Sequence, residues 1–132
     1  MVMECIVREI CEEELGEVVH LIRRIFPRAS MNLNDDDLFF VATIEERIVG
    51  FMHLVETDNY FVLQGLGVDE EHRNRGAGTA LMEKLEQISD STGKKMFLKV
   101  KSMNPAVRLY EDYGFSVKRF GIVHTLEKKR HN

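Results

Sequence analysis

Residues Tyr60–Val68 carry no charge, and the run stops at Asp69-Glu70-Glu71. A short turn with Arg73, Arg75, Gly76 and Gly78 follows. Ala77, Leu81, Leu85 and Ile88 then recur at helical spacing as far as about Ser91, and Gly93 ends the pattern. A second apolar run, Met96–Val100, comes next. Two strands joined by a helix of this length lie parallel, with a right-handed crossover between them. The rest of the chain has to be arranged around that unit.

Before it, Glu4–Ile10 alternates as a strand with Cys5 and Val7 on one face. Glu12–Phe26 reads as a helix. Its apolar stripe is Leu15, Val18, Val19, Ile22, Ile25 and Phe26, its first turn is acidic, and Pro27 ends it. Arg28–Asp37 is a polar loop in which Asn34 or Asp35 could cap one helical turn. Leu38–Ile44 and Arg47–Val55 form a hairpin about Glu45-Glu46, and a turn at Thr57-Asp58-Asn59 leads into Tyr60–Val68, a third antiparallel strand and a central one. After Met96–Val100, Asn104 caps a helix with Pro105 at its first position, ending at Tyr113 before Gly114. Ser116–Phe120 and Ile122–Leu126 are the last strands. The order β-α-β-β-β-α-β-α-β-β is an α+β class, and 132 residues suggest one domain, 1–132.

The net charge of −4 and the lack of an aromatic-basic patch argue against a nucleic-acid partner. No apolar run approaches the roughly 20 residues of a membrane helix, and the first residues do not read as a signal peptide. Two cysteines, Cys5 and Cys11, make no zinc site, so no metal is expected. They read as buried free thiols, and the expected location is cytoplasmic.

The glycine turn is where chemistry is expected. Backbone N–H groups at a helix start, with the dipole behind them, suit a phosphate; Gly76 and Gly78 let a ligand approach, and Arg73 and Arg75 add charge. The Gly-Lys-Ser/Thr ending of a Walker loop is absent. Gly65 and Gly67 could open a dinucleotide fingerprint, but Glu70 stands in place of its third glycine.

What remains, Arg73-x-x-Gly76-x-Gly78 after Leu66-Gly67-Val68, resembles the coenzyme-A pyrophosphate loop of the GNAT superfamily of acetyltransferases. Asn104-Pro-Ala-Val-Arg-Leu-Tyr110-Glu-Asp-Tyr-Gly-Phe115 is similar to that family's second motif, in which Asn opens a helix, Leu-Tyr follows and Gly-Phe closes it. Val49-Gly50-Phe51 also fits. The match is good over Tyr60–Val117, whereas the first 40 residues match only in pattern.

The resemblance implies a mixed, mostly antiparallel sheet with a splayed central parallel strand pair and flanking helices. It implies acetyl-coenzyme A as co-substrate and direct attack by a primary amine. Leu66, Gly67 and Val68 would hold the pantetheine arm like an added strand. Arg73, Asn74, Arg75, Gly76, Ala77, Gly78 and Thr79 would hold the pyrophosphate, with Asn104 also touching the coenzyme. Tyr110 corresponds to the family's usual acid, which protonates the departing sulfur. Family members often dimerise through late strands. The alternative is a non-catalytic sensor that binds acyl-coenzyme A.

In relatives that acetylate protein amino termini, a glutamate often serves the incoming amine. The matching position here is Lys99, which leaves the base unassigned, with His53 and Glu56 as candidates. Asp35, Asp36 and Asp37 in the Arg28–Asp37 loop, together with Lys99, suggest a small zwitterionic acceptor, such as an amino acid, over a polyamine, within the small-molecule or peptide amines that the resemblance implies. The competing reading has the aspartates capping a turn in water and Lys99 paired internally. His72 is expected to be solvent-exposed.

Overall fold

Tyr60–Val68 is the middle strand of one seven-stranded sheet. In chain order the strands are β1 (Cys5–Glu9), β2 (Asp37–Ile44), β3 (Arg47–Glu56), β4 (Tyr60–Val68), β5 (Lys95–Lys101), β6 (Phe115–Arg119) and β7 (Val123–Lys128). The helices are α1 (Leu15–Ile25), α2 (Ala77–Thr92) and α3 (Ala106–Asp112). This computed structural model describes residues 4–28, 36–104, 106–119, 121 and 123–128. The sheet order is β1-β2-β3-β4-β5-β7-β6, and among the described strands only β4 and β5 run parallel. The chain is therefore an α+β fold with the expected parallel crossover through α2.

Alternation along β2 and β3 sorts the core into two faces. Phe40, Ala42, Met52 and Leu54 pack with Ala77, Leu81, Met82 and Leu85 of α2 and with Tyr110 and Phe115. Phe39, Val41 and Phe51 pack on the other face with Val18, Leu21 and Ile22 of α1. Leu21 and Met82 were not in the expected stripes. Each lies beside a stripe residue, and the faces that these helices bury are wider than the sequence spacing alone indicates.

The helix expected from Glu12 begins as a 3-10 turn, Glu12–Glu14, and becomes α-helical at Leu15. Glu14 is tied down there. Arg8 donates to both of its carboxylate oxygens at 2.8 Å, and the Cys11 N–H donates to Oε1 at 2.8 Å. Those bonds, the Arg8 pair first, hold the Glu14 carboxyl well below its ordinary range, at about 2. Cys5 is half-buried, but Cys11 at this turn is exposed, contrary to the buried-thiol reading.

Glu45 and Glu46 join β2 to β3 with φ of 51° and 66°. Left-handed backbone at both central positions is the mark of a type I′ hairpin turn, which Asn-Gly fits far better than Glu-Glu. Left-handed conformations cost L-residues roughly 1–2 kcal/mol each. Glu45→Asn with Glu46→Gly is expected to gain about 1 kcal/mol after the added freedom of the unfolded glycine is deducted. Thermal unfolding checks this: the midpoint should rise by about 3–5 °C, and an unchanged or lower midpoint contradicts it.

Asp37 is not in the preceding loop. It is the first residue of β2 and stands opposite Val55. Asp35 and Asn34 fall outside the described residues.

Candidate active site

β4 and β5 pair over Tyr60–Leu63 and Lys95–Leu98, and then part. The parting has a local cause. On the β3 side, Leu54 stands opposite Leu63 while His53 stands opposite Gly65, so Gln64 is the extra residue of a bulge. A bulge bends its strand and sharpens the twist. Beyond it β4 keeps β3 as its neighbour, whereas β5 keeps β7 through Lys101.

The register also shows which backbone groups face the gap. The Asp69 N–H donates to the Val49 carbonyl at 2.7 Å, flanking the opposed pair Gly50 and Val68. Val68 is thus at a non-hydrogen-bonded position, and so is Leu66 two residues earlier. Both turn their N–H and C=O away from β3, toward the side that β5 has left. The Val68 carbonyl is already engaged there: Arg73 Nε donates to it at 3.2 Å. This ties the exposed Arg73 side chain to the edge of the gap.

A cleft of about 1240 Å³ opens at the gap. From the expected coenzyme set, Leu66, Gly67, Val68, Arg73, Asn74, Ala77, Gly78, Asn104 and Tyr110 line it. Arg75, Gly76 and Thr79 do not, and all three are exposed beside it. Gly76 has φ of 89°, so it provides the left-handed turn into α2 rather than a contact. Asn74 is also left-handed, with φ of 64°. The first amide engaged within the helix is that of Ala80, which donates to the Gly76 carbonyl at 2.9 Å. Among the described residues no side chain caps the amides before it, and no acidic residue lies in the first turn.

Gly78 is informative for a different reason. A Cβ built there would meet only Val68 Cγ2, at 3.9 Å, and its φ lies outside the left-handed range. The folded chain has no internal need for glycine at this position. Gly67 contrasts with it: a Cβ there would come within 3.0 Å of Phe51 and 3.1 Å of Phe26, so its absence makes room for the α1 face of the core.

On the other wall Asn104 Oδ1 accepts the Ala106 N–H at 2.9 Å, the expected cap of α3. Tyr110 on α3 is 7% exposed, and its ring meets Phe115 edge-on with centroids 5.9 Å apart. Burial raises the pKa of its phenol, which keeps the proton on it through the neutral range.

The acceptor-side expectations fare unevenly. Lys99 lines the cleft and is exposed. Asp36 is exposed in a turn and does not line it. Asp37 lines the cleft, but its carboxylate meets His53 Nε2 at 2.8 Å instead of forming a solvated acidic patch. The two neighbours part because β2 begins at Asp37 and leaves Asp36 in the turn before it. Of the two candidate bases, His53 lines the cleft. Glu56 does not; at the end of β3 it accepts a hydrogen bond from Lys94 Nζ at 2.8 Å. His72 is half-buried, with Nδ1 3.5 Å from Asp69. Arg28, Phe51, Gln64 and Lys101 also line the cleft and were not anticipated as site residues. Alternation from His53 could have found Phe51. Nothing local marks Gln64 as a bulge.

Among the described residues no group of side chains could hold a metal ion, and no helix is long and apolar enough to cross a membrane.

Residues 7–115 match the acetyltransferase (GNAT) family. An uncharacterized N-acetyltransferase of Bacillus subtilis (strain 168), YobR, is 36% identical over 80 residues, which are 59% of this chain and 32% of that protein. The match therefore spans under a third of that curated relative's length. The ribosomal-protein-S18-alanine N-acetyltransferase of Escherichia coli superposes with a TM-score of 0.84 at 19% identity, over 95% of this chain and 93% of that one. The paia N-acetyltransferase of Thermoplasma acidophilum, in complex with coenzyme A, gives 0.81 at 22% identity, over 97% and 100%. At these identities the structural likeness is one of fold.

Proposed function

The chain belongs to the GNAT family of acetyltransferases, and from that premise we propose that it transfers acetyl from acetyl-coenzyme A to a primary amine. The observation that carries the reading is the parting of β4 from β5 at the Gln64 bulge, with uncapped α2 amides on one wall and Tyr110 on the other. The site residues fit the coenzyme. Ala77, Gly78 and Thr79 offer helix-start N–H groups to the pyrophosphate, with Arg73 as counter-charge. The side-chain-free Gly78 leaves room for that approach. Leu66 and the Val68 N–H would bond the pantetheine arm as a strand would. Bound there, the co-substrate supplies an activated acyl thioester.

The chain's own part is chiefly positioning. The cleft aligns amine and thioester across the gap, and Tyr110 donates its phenolic proton to the sulfur. A phenol can fill that role because its ordinary pKa, about 10, leaves it protonated at neutral pH, and the proton shed by the attacking nitrogen replaces the one it gives. Fold neighbours solved with coenzyme A, such as the Thermoplasma enzyme, support acetyl-coenzyme A as the co-substrate.

The acceptor reading follows from charge. Arg28, Arg73, Lys99 and Lys101 line the cleft, against Asp37, which is engaged with His53. Such a cleft favours an amine that also carries a carboxylate over a polyamine. The test is acetyl-coenzyme-A turnover with alanine, a tripeptide with a free amino terminus, and spermidine as acceptors. Turnover with the first two is expected. Binding of acetyl-coenzyme A with no turnover on any of them would favour the sensor reading. Lys99→Met should raise KM for the carboxylate-bearing acceptors by roughly 3–10-fold, the value of an exposed ion pair of about 1 kcal/mol. An equal effect on both classes, or preference for spermidine, would reject the charge argument.

A further inference from the structure

We propose that His53, held by Asp37, is the general base that deprotonates the acceptor amine, a role that rests on the transfer reading above. The two side chains come from adjacent strands and meet diagonally across one face of the sheet. His53 Nε2 is 2.8 Å from Asp37 Oδ2, in a pair whose side chains are only 11% and 1% exposed. The ring is also clamped from one side: it stacks on Phe39 with centroids 4.2 Å apart and planes 19° apart. A carboxylate at Nε2 selects the tautomer with the proton there, so Nδ1 keeps its lone pair. Among the described residues no hydrogen bond occupies Nδ1, and it is not among the enclosed polar atoms.

The placement relative to the gap makes the pair useful. His53 stands opposite Gly65, next to the Gln64 bulge where β4 leaves β5. It shares a face with Phe51, on the α1 side of the sheet. Tyr110 packs with the α2 side. Base and acid therefore reach one cleft from opposite faces. That arrangement admits the amine from one side and the thioester from the other.

Protons and bonds balance as follows. The acceptor arrives as an ammonium ion, and Nδ1 takes one proton and passes it to water. The freed lone pair forms the N–C bond while the C–S bond breaks. Tyr110 gives its proton to the sulfur, and the second proton lost by nitrogen restores the phenol. The products are the amide, the free thiol and one proton in solution. Asp37 acts as a positioning residue through His53. The other charged or titratable groups lining the cleft are Arg28, Arg73, Lys99, Lys101 and Tyr110.

The test is the pH profile of kcat/KM for the wild type, His53→Gln and Asp37→Asn, using whichever of alanine, the tripeptide or spermidine turns over fastest. Acetyl-coenzyme-A affinity by calorimetry serves as the control. The wild type should show a limb that rises as an imidazole loses its proton. His53→Gln should lose that limb, fall about 10²-fold at neutral pH, near the low end for general base catalysis, and recover toward the wild-type rate in alkali, where the amine is already neutral. Asp37→Asn should keep the limb at a reduced rate, which removal of the imidazole cannot mimic. A His53→Gln enzyme that retains the limb overturns the proposal. If His53→Gln does not fold, an Asp37→Asn rate equal to wild type overturns it instead. A wild type that binds coenzyme but acetylates none of the three amines overturns the parent reading rather than this assignment alone.

Discussion

Tyr110→Phe is expected to lower kcat by roughly 10²–10⁴, the usual worth of a positioned acid or base, and to leave acetyl-coenzyme-A affinity unchanged. The ring remains, so the edge-on contact with Phe115 and the packing against α2 remain. What is lost is one proton at the cleft. The wild-type phenol is well suited to hold it: the ring is nearly enclosed, and burial disfavours the phenolate. The same physics gives a pH signature. Because the pKa is raised, the acid form persists to higher pH than for a free tyrosine. The alkaline fall in kcat that belongs to Tyr110 should lie above the ordinary tyrosine range, and Tyr110→Phe should lack it. Single-turnover kinetics separate this step from product release. A variant within about threefold of wild type would mean that the thiolate leaves without this proton, since a loss so small is far below the usual worth of an acid.

Gly78→Val is expected to weaken acetyl-coenzyme-A binding by about 10²-fold, with little change in stability. Two independent observations make the test clean. The position is helical rather than left-handed, and a Cβ there meets only Val68 Cγ2 at 3.9 Å. Valine thus fits the folded chain, at a helix-propensity level no worse than glycine's. Its branches would fill the space through which a pyrophosphate must approach the Ala77, Gly78 and Thr79 amides. Losing two charge-assisted hydrogen bonds at roughly 1.5 kcal/mol each amounts to about 3 kcal/mol, which is about 10² in affinity. Calorimetry with coenzyme A, alongside a melting curve, is the check. Unchanged affinity would reduce the glycine turn to a connection between β4 and α2.

Much of this architecture was legible without coordinates, because the signals are local. The Tyr60–Val68 run, the α2 stripe to its glycine stop and the Asn104 cap each depend on residues within a turn or two of one another. Backbone sterics and one-sided burial act at that range. The parallel crossover followed from the order of the elements alone, since a strand-helix-strand unit has one favoured hand. Tyr110 was singled out through its place in a short motif that resembles the family's, rather than through anything around it in space.

What the tertiary structure decided depends on partners distant in sequence. Nothing near Gln64 announces a bulge; it exists because β3 and β4 match faces on either side of it, and it is what opens the cleft. The insertion of β7 between β5 and β6 was equally silent, since either strand carries apolar residues enough to lie beside β5. Asp37 looked like one of three loop carboxylates until its pairing with Val55 put it in β2 and its side chain against His53. Glu56, three residues after His53 and as plausible a base in the sequence, stands opposite Phe61, where β4 still pairs with β5, and meets Lys94. Period and capping determine which segments are strands and helices. Register determines which side chains share a face, and Asp37 meets His53 only because register places both on the same face of the sheet.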